Sequence, residues 1–336
     1  MGFGSQAGQV MFGTQTAMGT YLATMATTGK AMKLRSGSLG PNRELLVTDP
    51  EIGGGRDTSD AYLGAVSWSG DYEFYARLEG ITTLLKGVLG SAASATTTGV
   101  STHTITPLDS STLPFLSIEE KIGSGLETYQ YTDAVVNTFH MEADANGFLM
   151  GTAGLIAKTQ IAGATPTPTP TYDNSPLIVG TNITMTYNAL SLPAKSFSFD
   201  ITNNFEDDDF RLGSFYLGDL TAKAREITGS FTIRPADSAL WRQAVYGGSA
   251  LTAPAGLTVK NQLVITMSTY EDIQSGIPAT KGSIVITIPK VALEPYALEP
   301  SGDDVIENDI SFRALRPVQA TPIATVVVKS AAPAIA

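Results

Sequence analysis

Gly70-Asp71-Tyr72-Glu73-Phe74 opens a stretch that runs through an apolar segment to Leu84-Leu85-Lys86-Gly87-Val88-Leu89-Gly90-Ser91-Ala92. A second stretch has the same layout: Gly229-Ser230-Phe231-Thr232-Ile233, then Leu240-Trp241-Arg242-Gln243-Ala244-Val245-Tyr246-Gly247-Gly248-Ser249-Ala250. In each leading segment polar and apolar residues alternate, the period of a half-buried strand. Each later run places its apolar residues on one helical face and stops at glycine, where a helix C-cap belongs. Each copy then closes with a strand, a turn and a strand: 135–142, Asn146-Gly147 and 148–157 in the first, 291–294, Ser301-Gly302 and 305–314 in the second. The offset is 159 residues between Gly70 and Gly229, and 155 between Gly147 and Gly302. A chain that carries one unit twice already contains one contact of a larger ring, which points to assembly before catalysis.

Composition agrees with two β-rich units. The chain has 336 residues, enough for two domains of ordinary size. Hydrophobic residues make up 43%, sufficient for real cores. Only 16% are charged, and the 33 glycines separate short apolar runs, as in an all-β protein with many turns. There is no cysteine, so disulfide and thiolate chemistry are excluded. His103 and His140 alone are too few for an ordinary zinc site. The net charge of −11 argues against a surface built to grip phosphate backbones. Residues 1–21 lack the basic start and apolar core of a signal peptide, and no run approaches the ~18 apolar residues of a membrane helix. The expectation is a chain made and used without export or bilayer insertion.

Along the chain, residues 1–30 are nearly uncharged, with Phe3, Val10 and Phe12 giving apolar grip, and read as an assembly arm that docks on a neighbour. A first domain follows at 31–162. Inside it, residues 91–112 are rich in Ser, Thr, Ala and Gly and read as a long exposed loop. The run Pro166-Thr167-Pro168-Thr169-Pro170 sits in a stiff extended linker, 163–176. A second domain spans 177–317, where Ile183, Met185 and Tyr187 share one face, as do Phe197, Phe199 and Ile201. Residues 318–336 read as a tail whose Val326-Val327-Val328 could add a strand to a neighbouring sheet.

No catalytic signature emerges. Nucleotide-binding glycine loops, the nucleophile elbow and paired zinc-binding histidines are absent, and no cofactor is called for. His140 reads as a packed or edge residue. Glu206-Asp207-Asp208-Asp209 and Asp303-Asp304 lack EF-hand spacing and read as solvated loop tips rather than a calcium site. Trp68 and Trp241 lie in core-like patterns, which leaves no obvious aromatic platform for a sugar.

Taken together, Gly13-Thr14-Gln15-Thr16 with Gly19-Thr20, the strand–helix run from Gly70 to Gly90, Arg211-Leu212-Gly213-Ser214, Ile288-Pro289-Lys290-Val291 and Ile310-Ser311-Phe312-Arg313-Ala314-Leu315 resemble the tail tube (major tail) proteins of long-tailed bacteriophages. The resemblance covers roughly residues 10–316 and rests on order and spacing more than on any one motif. It implies a mainly β fold of two tandem tube-type β-sandwich or barrel domains, each with one short flanking helix. It further implies stacked rings, trimers with pseudo-sixfold symmetry when two domains share a chain. The partners it implies are copies of this chain and other tail proteins at the tube ends. The tube is assembled in the host cytoplasm, belongs to the virion and conducts double-stranded DNA without specific binding. Asp71 and Glu73, alternating with Tyr72 and Phe74, are the candidate channel-facing acids, and Phe3, Val10 and Phe12 the candidate inter-ring contacts. A decoration or surface-layer sandwich, and a carbohydrate-binding or hydrolytic β protein, are the alternatives.

Overall fold

Alternating patterns become strands throughout. The computed structural model describes residues 5–274, 279–298, 305–318 and 321–331. In the first part of the chain lie β1 (Gln9–Thr14), α1 (Met25–Thr28), β2 (Lys30–Met32), β3 (Leu34–Gly37), β4 (Gly40–Val47), β5 (Ala61–Tyr75), α2 (Gly80–Leu89), β6 (Gly90–Thr97), β7 (Val100–Pro107), β8 (Leu116–Ile122), β9 (Glu127–Asp144) and β10 (Met150–Ala162). The remainder holds β11 (Ile178–Tyr187), β12 (Leu190–Leu192), β13 (Ala194–Thr202), β14 (Glu226–Ile233), α3 (Ala239–Tyr246), β15 (Asn261–Gln274), β16 (Thr280–Leu293), β17 (Asn308–Ala314) and β18 (Thr325–Ser330). The protein is mainly β, and its strands join in one antiparallel network, consistent with a β-sandwich.

Two long strands organise that network by serving different partners along their length. On one edge β9 pairs with β10; on the other its first half pairs with β8 and its second half with β13. Phe139 therefore faces Ala153 on one side and Ile201 on the other. β16 branches in the same way: Ile286 sits between Ile265 and Val326, and Val291 between Asn261 and Ala314. The result is a continuous row, β4–β5–β10–β9–β13–β14–β17–β16, with β3 prolonging β4 along the same edge of β5. The β9–β13 seam lies inside it.

The two leading glycines occupy matching places in this row. A Cβ on Gly70 would collide with the backbone carbonyl oxygen of Ser38, and one on Gly229 with that of Ser198. Each helix follows its strand as the sequence predicts. α2 buries Ile81, Leu84, Leu85, Val88 and Leu89, each worth roughly 1.5–3 kcal/mol when removed from water. Gly90 and Gly247 end the helices at φ of 108° and 90°.

Four stretches differ from the sequence expectations. Residues 91–112 are not a loop for most of their length: β6 and β7 form a hairpin there, with Ser101, His103 and Ile105 turned inward. Small polar residues conceal such a strand because their alternation carries little hydrophobic contrast. Within the expected tail 318–336, residues 325–330 form a strand. β18 lies between β7 and β16 of its own chain, so Val326 and Val328 are buried at home. His103 donates to or accepts from Ser94 Oγ (2.9 Å) and Ser330 Oγ (3.2 Å), tying β6, β7 and β18 together, and burial pushes its pKa down. The N-terminal segment is not wholly an arm either, since β1 pairs with β2 and β8. Finally, the Pro/Thr linker is stitched to the first half. Glu119 accepts hydrogen bonds from the Thr167 N–H (2.8 Å) and hydroxyl (3.1 Å). Asp173 accepts from the N–H groups of Glu79 (2.9 Å) and Gly80 (2.7 Å), placing a carboxylate at the start of α2.

One buried acid sets a pH dependence. The Glu120 carboxylate accepts hydrogen bonds from Tyr131 (3.2 Å) and Tyr72 (3.4 Å) deep in the core. Burial raises its pKa above the ordinary 4.5, with the hydrogen bonds opposing but not cancelling that effect. A folded-state pKa above the unfolded one means the ionised form weakens the fold, fully above the folded value and not at all below 4.5. Relative to the native chain, Glu120→Gln should therefore gain stability as pH rises from about 4 to about 7. Denaturant midpoints of both proteins across that range check this; a pH-independent difference would refute it.

Candidate functional site

The eight-strand row has two unlike faces. One carries the core side chains Tyr72, Phe74, Phe139, Met141, Phe197, Phe199, Phe231 and Phe312. The other is polar, and strand register places its residues in lateral lines. Glu73, Thr152, His140, Asp200, Thr228 and Arg313 form one line. Glu142, Ser198, Ser230 and Ser311 form the next, and Asp144, Ser196, Thr232 and Asp309 the one after. Asp71 aligns with Gly154, Thr138, Thr202 and Glu226 on the opposite side. Asp71, Glu73, Glu142, Asp144, Asp200, Glu226 and Asp309 thus share a surface with Arg313, His140 and Arg35, whose guanidinium lies over the Tyr75 ring in the Glu142 line, and no lysine stands in these lines.

The sheet register explains why these acids converge. Side chains alternate at a period of 2, so one apolar series in each strand consigns the intervening residues to the other face. Asp71 and Glu73, singled out from sequence, are both exposed there, and Ser36 Oγ donates to Glu73 (2.7 Å). The other five carboxylates escaped notice, although the Phe197, Phe199 and Ile201 series implied the orientation of Asp200. His140 spans the seam between β9 and β13: its Nδ1 lies 2.6 Å from Asp200 and its Nε2 3.4 Å from Glu142. These carboxylates, Asp200 first, raise the imidazole's pKa.

The proposed inter-ring residues fall elsewhere. Val10 and Phe12 are buried in β1, where Phe12 meets the Tyr72 ring edge-on at 5.4 Å, so they are occupied within their own protomer. Their apolar character serves the core. Phe3 lies outside the described residues. Asp209 is held by Arg211, which also reaches Asp219 (2.8 Å). Among the described residues no cluster of three or more potential metal ligands gathers, and Asp303-Asp304 lie outside them. Trp68 is buried, and the half-buried Trp241 donates its indole N–H to the Tyr296 carbonyl (3.0 Å).

Open strand edges complete the picture. Among the described residues, β3 and β4 pair only with β5. At the other end of the row, among the described residues, Ala292 and Leu293 of β16 pair with β17 alone, the Glu294 N–H continues that pairing to the Ser311 carbonyl (2.9 Å), and residues 295–298 belong to no strand. Such edges are templates for another chain.

A family model described as phage tail tube protein matches residues 5–314. The chain belongs to that family. It is a structural protein of the phage tail, and a tube protein assembles with copies of itself and with other tail components. The match ends at Ala314, so the strand β18 of this tail tube protein lies beyond it. No curated protein matches the tail tube chain.

Proposed function

We propose that this tail tube protein is a tandem repeat of two tube units, divided near the 163–176 linker, that closes as a trimer with pseudo-sixfold symmetry. The observation that carries the reading is the eight-strand row. Four strands, β4–β5–β10–β9, are matched by four more, β13–β14–β17–β16, and the join between the sets is the ordinary antiparallel pairing of β9 with β13. The row ends in the counterparts of those two strands, β16 and β4. The β3/β4 edge of one chain then adds to the far end of β16 in the next, repeating the internal seam and removing both open edges.

Three chains supply twenty-four strands. At about 4.8 Å between strands, they enclose a barrel roughly 37 Å across before strand tilt widens it, enough for a double helix. The polar face lines this channel and the Phe-rich face the wall. A surplus of carboxylates repels the phosphate backbone, so DNA passes into the host without being held. The role is structural rather than catalytic. Rings formed in the host cytoplasm stack into the tube, with other tail proteins at its ends.

Native mass measurement of assemblies should return multiples of three chains, and negative-stain microscopy should show rings or tubes. Rings of six copies of this chain, or a monodisperse monomer at tube-forming concentration, would refute the proposal.

A further inference from the structure

The two matching strand sets carry very different loops. Between β13 and β14, the segment 203–225 lies over the preceding set: Phe205, Leu217 and Leu220 pack with Val135 and Ile156. It ends in a slot that opens where β10 turns away from β5. There Phe215 accepts a hydrogen bond from the Val66 N–H (2.8 Å), and Tyr216 stacks near Trp68. The equivalent connection, between β4 and β5, is a hairpin with an exposed apolar surface: Leu45, Leu46, Val47, Tyr62 and Leu63, with Ile52 fully exposed at its tip.

An equivalent slot also exists in the second set, and it is open. The 159-residue offset that relates Gly70 to Gly229 relates Val66 to Arg225. Where β17 turns away from β14, a cleft of about 320 Å³ is lined by Asp109, Arg225, Arg316, Pro322 and Ile323. Arg316 pairs with Asp109, and Arg225 donates to the Leu108 carbonyl (2.8 Å). The cleft therefore carries two arginines against one aspartate. Residues 41–63 carry the opposite balance, with Glu44, Asp49, Glu51, Asp57 and Asp60 against Arg43 and Arg56.

We infer that the 41–63 hairpin straps the neighbouring chain of the same ring, seating its tip in the Arg225–Arg316 cleft of that second copy. The internal arrangement sets the direction: the 203–225 segment crosses the β13–β9 seam into the set beyond it. By the same rule the hairpin crosses the β4 edge into the second set of the next chain. Docking covers the apolar surface that the hairpin exposes in a lone chain, and the acidic tip suits the arginines of the cleft. The inference rests on the trimeric ring proposed above.

The absence of cysteine makes crosslinking clean. In the double variant Ile52→Cys, Thr321→Cys, assembled tubes treated with a short bis-maleimide should give covalent species that stop at three chains, because links within a ring close on themselves. A ladder extending beyond three would place the hairpin between rings and overturn the strap. Intact tubes that yield no crosslinked chains would overturn it too. If the double variant, before crosslinking, and the native chain both fail to form rings or tubes under the microscope, the ring itself is refuted, and the strap falls with it. Crosslinked dimers and trimers from either single variant would show that collision rather than seating forms the links, and would equally count against it.

Discussion

Gly229→Val and Gly70→Val are each expected to destabilise the protomer by on the order of 3 kcal/mol, the upper part of the range for overpacked interiors. The reason is the same at both sites. The neighbouring backbone, at Ser198 in β13 or at Ser38 in the link between β3 and β4, brings a carbonyl against the glycine Cα, and no backbone oxygen can rotate away as a side chain can. At Gly229 the ring of Phe312 closes the remaining space. Gly256 is the control: its added Cβ would meet nothing within 4 Å, so Gly256→Ala should stay within ~0.5 kcal/mol of the native chain. Midpoints of denaturant unfolding measure all three. If the valine variants unfold at the native midpoint, the shared close approach does not explain why β5 and β14 carry glycine at these positions.

A second large effect concerns the polar face. Asp71 and Glu73 are exposed, and within the protomer Glu73 loses only the Ser36 contact on substitution. Asp71→Lys, Glu73→Lys should therefore leave the fold nearly as stable as before, while changing the charge by four per chain. In a ring of three chains this places six lysines where six carboxylates stood. Tubes of this variant should retain duplex DNA at low salt. Binding should fall with salt at a slope of roughly −0.9 per phosphate neutralised, reaching little by about 200 mM. Native tubes should retain none under the same conditions, and phage built with the variant should eject DNA more slowly. Variant tubes that form normally yet ignore DNA would show that these residues do not face the channel.

The physical roles of buried and exposed ionisable groups separate clearly here. Glu119 and Glu120 are adjacent on β8 and point to opposite sides, Glu119 to the linker through Thr167 and Glu120 to the tyrosines of the core. Both are costly to bury, and both are satisfied by hydrogen bonds rather than by cations. The face acids, by contrast, remain at the surface, where water and salt screen their mutual repulsion.

Short-range pattern was legible in the amino-acid sequence. Tyr72 and Phe74, Phe197 to Ile201, and the apolar stripes of α2 and α3 announced their elements, because period 2 and period 3.6 are local properties. The recurrence of Gly70 and Gly229 could be read for the same reason, and so could the orientation of Asp71 and Glu73. What residues 91–112 and 325–330 do was decided only by tertiary structure. β6 and β7 form a local hairpin, but β18 joins it by pairing across more than 200 residues, and a Ser/Thr-rich strand declares itself only once a partner is beside it. Val10 and Phe12 looked adhesive in isolation, yet the core claimed them, since apolarity records a preference for burial and not the surface that satisfies it. The internal β9–β13 seam, and with it the gathering of seven carboxylates on one face, likewise depends on register between strands distant in the chain, which no local window of sequence contains.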